Sequence, residues 1–306
     1  MNNLIWQIKS EFVPNVTLNI GKYTAIYNEY ETVEEDLLNI INQYFKKRNS
    51  NKKDVSIIDI SSQELVSNLM YESIIIDNYK IEDEHSLGSS STLNKKIQRD
   101  FTDSIEGRGY LNSINTLLTD LLENINYNEL PLNVKNFDLK QFVKLLSFEY
   151  ELKEDYSKLI TRIEQVLPLL IDELNKQHNN KVLLIYLYPE ANLSPKEQMK
   201  LKKLLISLQV NIIVLTGSLH FMANEWHYNN YIRSGKQKLT SKFIEELLWN
   251  APLDFKKVEL EKSLNQFILT YQDKVEINPT ISNYQIAQIM LFSSIDICRA
   301  IIFTTL

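Results

Sequence analysis

The chain has 306 residues, 44% of them hydrophobic, which is length and core enough for two compact units at ~100–200 residues per domain. Its formal net charge of −6 excludes a generally basic nucleic-acid coat, so any DNA-binding surface must be local. A single cysteine, Cys298, excludes an internal disulfide, and with four scattered histidines it excludes zinc-ligand spacing.

In chain order, Met1–Trp6 lacks the basic and apolar segments of a secretory leader, and no apolar run approaches the ~20 residues of a membrane helix. A soluble cytoplasmic protein without membrane contact is expected. Val16–Tyr27 reads as a strand broken at Gly21-Lys22. The spacing of Leu37, Leu38, Ile40, Ile41 and Phe45 predicts an amphipathic helix over Val33–Phe45, with Glu34, Glu35 and Asp36 suiting its positive end. Val55–Ile60 reads as the next strand, which would make a β-α-β unit and a parallel sheet. Glu82–Ser91, acidic and then serine-rich, marks the exit from this sheet. Leu111–Ile125 and Leu159–Leu174 repeat apolar residues at helical spacing, with Pro168 as a kink or break in the second. Val182–Leu187 and Asn211–Thr216 are apolar runs of the kind that both-face burial demands. Between them Ser194-Pro195 starts a helix as N-cap and first helical residue. After about Asn224 a polar, aromatic stretch precedes helices near Ser241–Trp249, Glu259–Tyr271 and Tyr284–Ile301. The expected organisation is an α/β head (1–88 and 180–224), a helical lobe (89–179) and a mostly helical C-terminal extension (225–306).

Few motifs speak for catalysis. The stretch Asn28–Val33, where a phosphate-binding loop would lie, has no glycine or lysine and carries two carboxylates, so no nucleotide is expected there. Asp59 at a strand end is either a metal ligand or a capping aspartate, and the lack of a phosphate site opposite favours the cap. Thr216-Gly217-Ser218-Leu219-His220 follows a buried strand, but without G-x-S-x-G it reads as a turn. Basic residues cluster instead: Lys95, Lys96 and Arg99 within about one helical turn, Lys46–Arg48 with Lys52 and Lys53 in a loop, and Lys196, Lys200 and Lys203 on one helix face. Alone, each reads as a solvated face.

Four patterns taken in order resemble the DNA-end-binding spacer-acquisition proteins of type II-A CRISPR loci, over roughly residues 16–220. They are Tyr23–Tyr27 running to Glu34-Glu35-Asp36; Val55–Ile60 with its late Asp59; Ser89-Ser90-Ser91-Thr92-Leu93-Asn94-Lys95-Lys96-Ile97; and Lys181–Ile185 followed by Leu193–Glu197. The resemblance implies a degenerate P-loop-hydrolase-like parallel-sheet head with an inserted helical lobe. It further implies a non-catalytic homotetrameric ring that holds double-stranded DNA ends without sequence preference and works beside the CRISPR integrase and effector nuclease. Ring symmetry would multiply a modest patch around one cavity, and Lys95, Lys96 and Arg99, then Lys52 and Lys53, are the expected phosphate contacts. It also implies calcium in the helical lobe. Glu123, Glu129 and Asp138 at the turn between two lobe helices are the candidate oxygen ligands; on their own they read as a solvated turn. The alternative is a catalytically dead α/β scaffold that recruits other proteins without binding DNA.

Overall fold

The computed structural model describes residues 4–27, 33–46, 55–125, 132–149, 157–177, 181–233, 236–250 and 256–271. Chain order is β1 (Leu4–Ser10), β2 (Val16–Ile20), β3 (Tyr23–Tyr27), α1 (Val33–Phe45), β4 (Val55–Asp59), β5 (Glu64–Leu65), β6 (Tyr71–Ile76) and α2 (Asn78–His85). Then come α3 (Thr92–Asp103), α4 (Ile105–Glu123), α5 (Leu139–Lys144), α6 (Lys158–Gln177), β7 (Lys181–Leu187), α7 (Pro195–Ser207) and β8 (Asn211–Thr216). The chain ends its described part with β9 (Asn229–Arg233), β10 (Lys236–Gln237), α8 (Ser241–Asn250) and α9 (Lys257–Tyr271). It divides into two compact units: Met1–Asn78 with His178–Leu306, and Tyr79–Gln177.

The first unit is α/β. Its main sheet has the order β10-β9-β3-β8-β7-β6, and β9, β3, β8, β7 and β6 run parallel. Side chains alternate across a sheet, and here both faces are covered. Ile26, Leu183, Ile185, Ile213 and Leu215 pack with Leu37, Leu38, Ile41 and Phe45 of α1 on one face. Ala25 and Tyr27 pack on the other with Met222, Phe243, Leu247, Leu260 and Leu264. That is why β7 and β8 read as continuous apolar runs. The helix α1 forms where its periodicity predicts, because its apolar stripe is almost fully buried. At ~1.5–3 kcal/mol per buried aliphatic side chain, that stripe outweighs any local propensity.

Two expectations need correction. Val16–Tyr27 is not one interrupted strand: β2 and β3 belong to different sheets. Nor do β3, α1 and β4 form a β-α-β unit, since β4 pairs antiparallel with β1 in a separate sheet of order β2-β1-β4-β5. The inner face of that sheet (Trp6, Ile8, Val16, Leu18, Ile57) joins the α1 core. Trp6, Phe45 and Tyr71 meet there with ring centroids 5.2–5.9 Å apart. Strand β6, adjacent to β7, fills the place expected of Val55–Ile60.

The second unit is helical, with α3 packed against α4, α5 and α6. Ser91 caps α3, accepting from Asn94 N at 3.0 Å, and buried Glu84 accepts the Thr92 and Leu93 amides at 2.9 Å each. Pro168 lies inside an unbroken α6. In α4 the repeating apolar residues are not a fully buried stripe: Leu111, Ile114, Leu118 and Leu122 are half-buried, whereas Leu117 and Leu121 are more than half exposed, as are Tyr110 and, just past the helix end, Ile125. Among the described residues no helix is long and apolar enough to cross a membrane. The expected helix Tyr284–Ile301 lies outside them.

Candidate functional site

Three places could carry function: the basic cluster of the helical unit, the carboxyl ends of the parallel strands, and a cavity at their amino ends.

The cluster Lys95, Lys96 and Arg99 sits on α3, opened by the Ser91 cap. Two of the three are held by acids. Arg99 Nη2 lies 2.6 and 2.8 Å from the carboxylate oxygens of Glu173, which is 0% exposed on α6. Lys96 Nζ contacts Asp100 at 2.6 Å and Glu173 at 3.8 Å. Hydrogen bonding to those carboxylates raises both cations above their ordinary pKa, Arg99 through Glu173 and Lys96 through Asp100. Lys95 points out exposed with no ion pair among the described residues. The lock between α3 and α6 is therefore a second role for this cluster, invisible to spacing alone because Glu173 lies 74 residues away. Lys52 and Lys53 lie outside the described residues.

The described acids of the turn hold separate places. Asp138 is the N-cap of α5, its Oδ1 accepting Gln141 N at 2.8 Å in a reciprocal capping box. Glu123 ends α4 exposed, and Glu129 lies outside the described residues. Among the described residues no three His, Cys, Asp or Glu side chains gather as a metal-holding group.

Open α/β sheets place ligands at the carboxyl ends of their strands. Of the stretch Asn28–Val33, where a phosphate-binding loop would lie, only Val33 is described, as the first residue of α1. The neighbouring edge is occupied from within. Between β7 and α7 the backbone turns through left-handed Tyr188 (φ 47°) and Asn192 (φ 59°), unusual for a residue as bulky as tyrosine. This presents Glu190, whose carboxylate accepts Gly217 N at 2.7 Å and Thr216 Oγ1 at 2.8 Å. The Ser218 hydroxyl donates to Gln198 Oε1 at 2.6 Å, so its proton does not go to the His220 ring. Thr216–His220 is thus a structured turn, as its sequence suggests. Asp59 likewise organises a turn, accepting from Ser61 N at 3.0 Å and Ser62 Oγ at 3.3 Å.

At the opposite end of the sheet the amino ends of β3 and β8, the second half of α7 and the segment 223–228 enclose a cavity of about 610 Å³. Lys202 reaches it from α7, with Nζ 2.6 Å from Met222 O and 3.3 Å from Asn224 Oδ1 and 5.9 Å from the centre of the Tyr23 ring. Burial lowers the pKa of this ammonium. Burial also pushes the Tyr23 phenol far upward, with Glu190 adding to the shift; its hydroxyl donates to Phe221 O at 2.8 Å. His227 Nε2 lies 2.8 Å from Glu225 Oε2. Sequence reading missed this place, because its residues come from four separate segments and share no motif.

The fold is thus a mixed α/β head carrying a helical unit between β6 and β7. No protein-family model matches the sequence, and no curated protein does. Among solved structures the chain is similar to the crystal structure of Stu0660 of Streptococcus thermophilus, at TM-score 0.61 and 16% identity, over 98% of this chain and 93% of that one. At that identity the likeness is one of fold. Two ATP-binding cassettes of ABC transporters, MJ1267 in its ADP conformation and a nucleotide-free cassette, cover 78% of this chain at 13% and 12% identity. Their TM-scores of 0.37 and 0.39 are too low to define the fold.

Proposed function

We propose that the chain is a non-catalytic cytoplasmic subunit of a ring-shaped homotetramer that holds double-stranded DNA ends during CRISPR spacer acquisition, beside the integrase and effector nuclease. The observation that carries this is the exposed apolar face of α4. Tyr110, Leu117 and Leu121 recur at helical spacing along α4, with Ile125 just past its end, and monomers rarely group large apolar side chains in water in this way. Self-association would cover it. The four ordered sequence patterns point to the same assembly. Glu190, seated on Gly217 N–H and Thr216 Oγ1, holds a carboxylate at the end of β8 that would repel a phosphate, which supports a subunit that uses no nucleotide. Calcium belongs to the proposal as an ion at the Glu123–Asp138 turn.

The test compares linear and covalently closed DNA of one sequence at moderate salt, alongside mass by light scattering. A threaded ring retains linear duplex and loses closed circles, and phosphate contacts make that retention fall steeply with salt. Leu117→Glu with Leu121→Glu should abolish both the larger mass and the retention. Equal retention of both DNA forms, or a monomeric mass for the unmodified chain, overturns it.

One observation favours the scaffold alternative: Lys96 and Arg99 are neutralised by Asp100 and Glu173. A stable oligomer that retains no DNA at any salt would decide for the scaffold.

A further inference from the structure

The cavity beside Lys202 has an unbalanced charge. An ammonium carries three N–H donors. Met222 O and Asn224 Oδ1 take two, and both are neutral. The third faces no carboxylate among the described residues. Glu225, the carboxylate that lines the cavity, is turned toward His227, its Oε2 2.8 Å from His227 Nε2, and makes no ion pair with Lys202. The shift of Lys202 accordingly has burial as its cause, with no acid opposing it. A cation half withdrawn from water without a counter-charge carries a desolvation cost. An anion arriving from solution would relieve that cost.

The mouth and the walls narrow the choice of anion. Lys22 stands exposed at the rim, with no ion pair among the described residues, and adds a second positive charge. The walls are apolar: Ile206, Val210, Ile212 and Ala223. Free phosphate would use the ammonium groups and leave these walls wet. A volume of about 610 Å³ falls within the ~300–1,000 Å³ typical of small-molecule sites. We propose that this cavity binds a small organic monocarboxylate, its head between Lys202 and Lys22 and its aliphatic or aromatic body against Ile206, Val210 and Ile212. The site is independent of DNA binding.

Isothermal titration of the full chain with octanoate, octanol and inorganic phosphate tests this. Octanoate should bind saturably, one per chain, and about tenfold or more tighter than octanol or phosphate, the change expected when one buried charge pair is lost at ~1.4 kcal/mol per decade. Lys202→Met, which keeps the side-chain length, should reduce octanoate to the octanol level and leave octanol unchanged. Ile206→Trp, which adds bulk at a half-exposed wall position and keeps the charge, should abolish both. If Lys202→Met does not fold, Lys22→Gln makes the charge comparison and should weaken octanoate alone. Absence of saturable octanoate binding overturns the proposal. So does octanoate binding equalled by octanol or phosphate, or left unchanged by the charge-removing and cavity-filling variants.

Discussion

Asn230→Leu should loosen the head by about 4 kcal/mol. Asn230 is fully buried in β9 and nearly the size of leucine, so the change deletes hydrogen bonds without opening a void. Its Oδ1 accepts Asn19 N at 2.8 Å and Gln237 Nε2 at 2.7 Å, and its Nδ2 donates to Asn19 O at 3.0 Å and Ala25 O at 3.3 Å. Four bonds at a net ~1 kcal/mol each give about 4 kcal/mol. Two orphaned donors at ~1–3 kcal/mol each give a similar figure. The two carbonyls suffer less, because each keeps a second lone pair. At ~2 °C per kcal/mol for a chain of this size, the melting temperature should fall by roughly 8 °C. Urea unfolding followed by circular dichroism should show a lower midpoint with unchanged slope, which separates lost stability from a changed unfolded state. A loss below about 1 kcal/mol would show that solvent or repacking satisfies Asn19 and Gln237, and would refute the reasoning.

Gly21→Ala would place a Cβ 2.6 Å from Tyr228 Cδ1 and Cε1; it should cost ~1–3 kcal/mol in urea unfolding and be relieved by adding Tyr228→Ala. Ser194→Ala removes the acceptor for Glu197 N and half of the α7 capping box, so unfolding free energy should fall by ~1 kcal/mol, and no change would mean that Glu197 alone holds the helix end. Burial lowers Lys202 below its ordinary 10.5, so between the lowered value and 10.5 the unfolded chain binds more protons, and this group's contribution to stability rises with pH. Measured against Lys202→Met, the wild type should therefore gain stability from pH 7 to pH 10, and parallel pH profiles would contradict the assignment.

What the sequence disclosed follows from where the physics is local. The starts of α1 and α7 were legible because periodicity, acidic first turns and the Ser194-Pro195-x-Glu197 cap are written within a few residues. The both-face burial of β7 and β8 was legible from composition. Sheet membership was not: Val55–Asp59 alternates as a strand in either sheet, and only its pairing with β1 decides. Strand β9 escaped notice because Asn229 and Asn230 look like loop residues. They are buried there because Ala223, Glu225, Asn19, Ala25 and Gln237 satisfy them from other segments. The basic cluster on α3 was visible, whereas its buried partner Glu173 was not. The Lys202 cavity left no trace, since pocket shape is a property of the assembled chain.

The place of β3 between β8 and β9 also bears on how the polypeptide is made. Its parallel neighbours begin at Asn211 and Asn229, about 190 residues further along the chain. At ~5–20 residues per second, a nascent chain waits roughly 10–40 s between making β3 and making the first strand that flanks it. Through that interval Ala25, Ile26 and Tyr27 present apolar side chains and unpaired amides, the combination that recruits foreign strands. Synthesis therefore has a vulnerable window, closed only when β8 emerges, and ribosome-stalled chains ending before Asn211 are the species on which holding chaperones would act.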